Sequence, residues 1–110
     1  MTLGEYQKKG MATAKYKNNY SQFMCAVFGL NGEAGEIAEK IKKNIRVNGE
    51  FKPNRELYDA LILELGDLLW YVQSFADALC VSLEEVAQLN LDKLKDRAER
   101  NVIHGSGDNR

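Results

Sequence analysis

Two pairs of acidic residues recur at one spacing, Glu33 with Glu36 and Glu64 with Asp67. Three residues turn a helix by roughly 300°, so each pair leaves one side of a helix, one turn apart. Glu64 lies between the directions of Leu61 and Leu65, and Asp67 lies beside Leu68, so this pair borders an apolar stripe. Carboxylates there are costly unless a cation compensates them. Four oxygen donors without His or Cys suit a hard ion, Mg²⁺ or alternatively Mn²⁺. Glycines interrupt both pairs, Gly35 and Gly66. In a helix interior such a residue costs about 1 kcal/mol and is best justified where something approaches closely. The competing reading of either pair alone is a solvated helix face.

An acidic metal site that handles an anion needs basic residues nearby. Lys40 follows Glu33 by seven residues, two helical turns, and points along the same face, with Lys43 close to that direction and Lys42 away from it. Asn90, Lys93 and Arg97 follow one another at steps of three and four. They make a polar ridge ending in a guanidinium suited to bidentate phosphate recognition. For the lysines the alternative is again a solvated face. Trp70, Tyr71, Tyr16, Tyr20 and Phe23 serve either to stack on a base or to pack the interior. The lone His104 falls near the end of the chain, away from these motifs, and its isolation excludes a di-iron bundle, which needs Glu-x-x-His on two helices.

Helices are the elements that would position these groups. Leu and Ala outnumber Val, Ile and Thr, and Pro53 is the sole proline, a balance that favours helix. The periodicity predicts a weak first helix over Leu3 to Lys17, a second near Ser21 to Arg46 and a central one near Asn54 to Leu79. Asn48, Gly49 and Pro53 punctuate a short loop, so the second and central helices should be antiparallel neighbours. Ser82 followed by Glu85 matches a capping box that opens a last helix from Leu83 to about Arg100. Ile103 to Arg110 reads as an irregular tail. The expected architecture is all-α, an antiparallel helical bundle of four main helices in one domain over residues 1–110. The central helix carries apolar residues in more directions than one partner helix can cover, which predicts a homodimer at least.

With 110 residues, 45% hydrophobic and 28% charged, the chain should fold around one core that buries roughly 65% of its unfolded surface. A net charge of −1 argues against nucleic acid as a partner. No apolar run approaches the roughly 18 residues of a membrane span, and the first residues do not resemble a signal peptide. Cys25 and Cys80 form neither a metal-ligand pattern nor a disulfide framework. The expected location is the cytoplasm.

The run from Gly29 through Glu33 and Glu36 to Lys43, followed by Glu64 and Asp67, resembles the E-x-x-E and E-x-x-D signature of the MazG-like, all-α nucleoside triphosphate pyrophosphohydrolases. Tyr6, Gln7, Thr13, Ala14, the Asn90, Lys93, Arg97 ridge and the ending from Gly105 to Arg110 are similar to small stand-alone members. The resemblance implies Mg²⁺-dependent hydrolysis of a nucleoside triphosphate to monophosphate and pyrophosphate, with Glu33, Glu36, Glu64 and Asp67 on the metal, in a homodimer or homotetramer. One acid of the Glu33 and Glu36 pair would serve as general base. Lys40, Lys43, Asn90, Lys93, Arg97 and Arg110 would bind substrate, Arg110 from a tail that closes over the triphosphate. Alternatives are a narrower substrate (dUTP, dCTP or phosphoribosyl-ATP) and a non-enzymatic helical assembly module whose acids pair with lysines or Arg97 of a neighbour.

Overall fold

The computed structural model describes residues 1–110 and consists of four helices without strands: α1 Leu3–Met11, α2 Asn19–Asn48, α3 Arg55–Ala78 and α4 Leu83–Glu99. Each starts at a side-chain cap. Asn18 Oδ1 accepts from the Ser21 amide and Asn54 Oδ1 from the Leu57 amide, both at 2.8 Å. Thr2 and Glu5 form a reciprocal capping box at α1 that sequence reading passed over. At α4 only half of the expected box forms. Ser82 accepts from the Glu85 amide at 3.0 Å, while the Ser82 amide has no Glu85 partner and neighbouring Glu84 reaches across to the Gly4 amide at 3.2 Å.

The first helix is shorter than its apolar spacing predicts. It stops at Met11 because the Thr13 hydroxyl takes the Gly10 carbonyl at 2.7 Å, replacing the next rung of the helix. The second helix is longer than expected at both ends, reaching back to the Asn18 cap and on to Asn48, where Gly49 turns left-handed at φ 76°.

Helices α2 and α3 run antiparallel along most of their length. Gln22 donates to the Ser74 carbonyl at 2.9 Å near one end, and Lys40 pairs with Glu64 further along. Asn44 holds the connecting loop, accepting from the Lys52 amide at 2.8 Å and donating to its carbonyl at 3.0 Å. Helix α1 lies against α3 through Gly10, which a Cβ would bring to 2.9 Å from Gln73 Nε2. Gln7 fixes the start of α4 by accepting from the Leu83 amide at 2.9 Å and donating to the Val81 carbonyl at 3.2 Å.

The core is much thinner than chain length alone suggests. Nine of 110 residues are buried, among them Gln22, Gln73 and Ser74, which make a polar layer between α1, α2 and α3. Helix α4 does not pack on α2 at all. The radius of gyration is 17.1 Å, against roughly 13 Å for a compact chain of this length. On α3 the stripe Tyr58, Ile62, Leu65 and Leu69 faces solvent. No helix is long and apolar enough to cross a membrane.

Candidate functional site

The antiparallel hairpin sets the Glu33 turn of α2 beside the turn of α3 that carries Glu64 and Asp67. One carboxylate oxygen from each of these three acids lies within 4.8 Å of the other two. Oxygens around one Mg²⁺ at about 2.1 Å are at most roughly 4.2 Å apart, so side-chain adjustment of less than an ångström would bring the three into one coordination shell. Glu36 is exposed, one turn further along α2, and stands outside the trio. Two acids from α3 and one from α2 are therefore brought together, and the fourth is near but separate.

Electrostatics show what this juxtaposition does. Burial, then the charge of Asp67, a shared hydrogen bond with Glu64 and the charges of Glu64 and Glu36 together hold the Glu33 carboxyl above its ordinary range. Three carboxylates confined in this way repel one another, and the donor set is oxygen only. The site therefore fits a hard divalent ion. Lys40 supplies one positive charge, its Nζ 3.0 Å from Glu64 Oε1, with Glu64 only 15% exposed. The Glu64 bond and charge, helped by Glu36, raise the Lys40 ammonium above its usual pKa.

Lys43 has no ion-pair partner. With Lys40, Asn44, Asn48, Asn54 and Leu57 it lines an open cleft of about 530 Å³ where α2 and α3 meet their connecting loop. Asn44, Asn48 and Asn54 are engaged in loop and cap bonds, and the charged groups of the cleft are Lys40, Lys43 and Glu56.

On the other side of the acids lies an aromatic cluster. Tyr71 fits against α2 only because residue 29 is glycine, since a Cβ there would stand 2.2 Å from the ring. Its phenol is raised by burial first, then by the charges of Tyr16, Glu33, Cys25 and Asp67. The Tyr6 phenol is raised by burial and by Asp67. Trp70 meets Tyr71 edge-on at 5.1 Å and Tyr16 at 6.4 Å, and its Nε1 donates to Thr13 Oγ1 at 3.0 Å. Tyr16 and Trp70 thus belong to a wall beside the acids. Phe23 packs edge-on against Phe75 at 5.1 Å, and Tyr20 is 74% exposed. The close approach expected at Gly35 and Gly66 is not made by this chain, which leaves open space above both. Close contacts fall instead at Gly10, Gly29 and Gly105, and the first two are defined by long-range partners that local spacing does not reveal.

The ridge on α4 is not brought to the acids. Asn90 is exposed and forms no side-chain bond, while Lys93 and Arg97 both pair with Asp108 of the tail, each at 3.2 Å. Arg110, expected to reach toward phosphate, is turned inward instead. Its guanidinium donates to the carbonyls of Val102 at 3.2 Å, Ile103 at 3.2 Å and Gly107 at 2.5 Å. These bonds make the tail a folded loop, and a side chain on Gly105 would collide with Arg110 at 2.8 Å. His104 is exposed, away from the acids, and both cysteines are free and exposed.

A family model described as the MazG nucleotide pyrophosphohydrolase domain matches residues 26–102. The match spans all four acids, Lys40, Lys43 and the α4 ridge, and ends before Asp108 and Arg110. The chain is also 52% identical over 82 residues to the Gene 37 protein of Mycobacterium phage L5, an alignment covering 74% of this chain and 71% of that protein. No solved structure gives a significant match.

Proposed function

The chain belongs to the MazG nucleotide pyrophosphohydrolase family, and on that premise we propose that it hydrolyses a nucleoside triphosphate to the monophosphate and pyrophosphate with Mg²⁺, or Mn²⁺, as cofactor. The observation that carries this reading is the meeting of Glu33, Glu64 and Asp67 within 4.8 Å. These three would hold the ion. A divalent ion held there would supply positive charge to offset phosphate and acidity for an attacking water.

The chain's own residues then divide the remaining work. Glu36, outside the trio, is the acid left to accept the water proton, as a general base needs a carboxylate not already engaged. Lys40, now on Glu64, would be free to turn to a phosphate oxygen, and Lys43 adds charge from the adjoining cleft. The wall of Tyr16, Trp70 and Tyr71 excludes water from one side. Removal of surplus or noncanonical nucleotides from a cytoplasmic pool is the physiological setting we propose. A narrower substrate such as dUTP, dCTP or phosphoribosyl-ATP uses the same chemistry.

The exposed stripe on α3 supports a homodimer or homotetramer. The accessible surface is 8051 Å², whereas a compact monomer of this mass exposes roughly 6,100 Å². That excess is on the scale of what an obligate interface takes from each partner. In the assembly the α4 ridge, which does not reach the acids of its own chain, serves the acids of a second copy. The Lys40–Glu64 ion pair together with this apolar stripe also suits a non-enzymatic assembly module. Incubating a panel of canonical and modified triphosphates with Mg²⁺ and measuring monophosphate and pyrophosphate separates the two readings, since a module releases neither.

A further inference from the structure

Arg97 is the one charged residue of the chain that is buried, with 5% of its side chain exposed, and its ion-pair partner comes from the last few residues of the chain. Asp108 is 84% exposed, yet its Oδ1 sits 3.2 Å from both Lys93 Nζ and Arg97 Nη2, and its backbone carbonyl accepts from Arg97 Nη2 at 3.1 Å. Lys93 and Arg97 are one helical turn apart, so the two cations converge on one anionic group from the same face of α4. A guanidinium has five N–H donors; those on Nε and Nη1 of Arg97 have no protein partner among the side-chain bonds. The pair has the donors of an anion site, and a carboxylate already fills it.

The carboxylate is delivered by a folded device. Arg110 bonds three tail carbonyls, Arg100 donates to the Arg110 carbonyl, and Gly107 adopts φ 80°, where L side chains are strained. Lys93 first, and then Arg97, hold the Asp108 carboxyl below its ordinary range, so it stays charged at neutral pH. The Asp108 side of these pairs is open to solvent, which leaves it free to exchange for a stronger anion.

We propose that the tail, residues 103–110, is an internal anionic plug: Asp108 occupies the Lys93 and Arg97 pair and is displaced by a phosphate group of the ligand that this pair binds. This deepens the reading of Lys93 and Arg97 as phosphate-binding residues and rests on it. A phosphate offers more charge and more acceptor oxygens than one carboxylate, and it can engage the idle Arg97 donors. The plug keeps the cation pair from nonspecific anions until a polyphosphate arrives.

The test is calorimetric titration of the full chain with inorganic pyrophosphate, in EDTA at low ionic strength, so that the acidic site contributes only repulsion. Asp108→Asn lies outside the helices on an exposed side chain, and its circular dichroism is expected to match wild type. It should bind pyrophosphate on the order of fivefold more tightly, Asp108→Glu should stay near wild type, and adding Lys93→Ala to Asp108→Asn should remove the gain. Equal or weaker binding by Asp108→Asn, or a gain that survives Lys93→Ala, overturns the plug. If wild type hydrolyses triphosphates while Asp108→Asn binds no tighter, the plug alone falls. If wild type hydrolyses none but the affinity pattern holds, the plug stands and the enzymatic reading falls.

Discussion

The α2–α3 hairpin and the α4–tail unit handle charge in opposite ways. The hairpin crowds like charges, with Glu33, Glu64 and Asp67 within 4.8 Å and one lysine to offset them. The α4 unit matches unlike charges, setting Asp108 between Lys93 and Arg97. Their protons record the contrast: the Glu33 carboxyl is raised, mainly by burial and Asp67, and the Asp108 carboxyl is lowered, mainly by Lys93 and Arg97. Crowded like charges are a standing cost that a bound cation relieves, whereas a matched pair is already satisfied and must be opened before it can bind. On the readings proposed above, the hairpin would take up a metal ion and α4 would exchange one anion for another.

The largest effect expected from breaking this contrast is at the acids. Asp67→Ala should lower triphosphate turnover about 100-fold or more, since outer partners of metal ligands alone are worth 10–100-fold, while helical circular dichroism is unchanged. Loop acid Glu50, exposed and unpaired, is the control. Near-normal turnover of Asp67→Ala at saturating Mg²⁺ would remove the hairpin's claim to be the metal site.

Next is assembly, which decides whether the hairpin and α4 of different copies meet. Ile62→Lys combined with Leu65→Glu places charges on the exposed α3 stripe without touching the acids, and light scattering should then report monomers where wild type reports dimers or tetramers. A wild-type monomer at micromolar concentration would refute the assembly.

A smaller effect tests the crowded acids without catalysis. Mn²⁺ added at a hundredfold excess over its dissociation constant stabilises the folded state by about 2.7 kcal/mol, a rise of roughly ten degrees or more in melting temperature for a chain of this size. Asp67→Asn should be more stable than wild type without metal, because it removes repulsion, and should gain less from Mn²⁺.

The smallest effect is at the tail. A depressed carboxyl pKa adds stability above the unfolded value and loses it as pH falls through the folded one. A free aspartate titrates at about 3.9 and the folded pKa of Asp108 lies below its ordinary value, so the tail should stay docked at neutral pH and release in strong acid. Amide shifts of Gly105 and Gly107 followed from pH 6 downward should report release below about pH 4, and Asp108→Asn should be undocked throughout.

The same contrast explains what was legible in the sequence. The acid pairs could be read because a helix converts a spacing of three into one face, and the antiparallel hairpin required only the Asn48, Gly49 and Pro53 punctuation to bring those faces together. The Ser82 cap is equally local. The end of α1 was missed because Thr13 continues a plausible periodicity while its hydroxyl ends the helix at the Gly10 carbonyl. Gly29 gave no local sign, since its partner Tyr71 is 42 residues away in the chain. The engagement of Lys93 and Arg97 by Asp108 lay outside any periodic pattern, because the tail folds through glycines and Arg110 bonds to carbonyls. Core size was overestimated from length, since two long helices packed on one face leave their other faces bare.

The central claim is that the hairpin acids, with a divalent ion, release pyrophosphate from a nucleoside triphosphate. Its most direct test is to follow products from a triphosphate panel with wild type and Asp67→Ala in Mg²⁺ and in EDTA. The account predicts monophosphate and pyrophosphate in equal amounts from wild type with Mg²⁺, and neither product from EDTA samples or from Asp67→Ala above about 1% of that rate. Diphosphate and inorganic phosphate as products, or turnover that persists in EDTA, would contradict it.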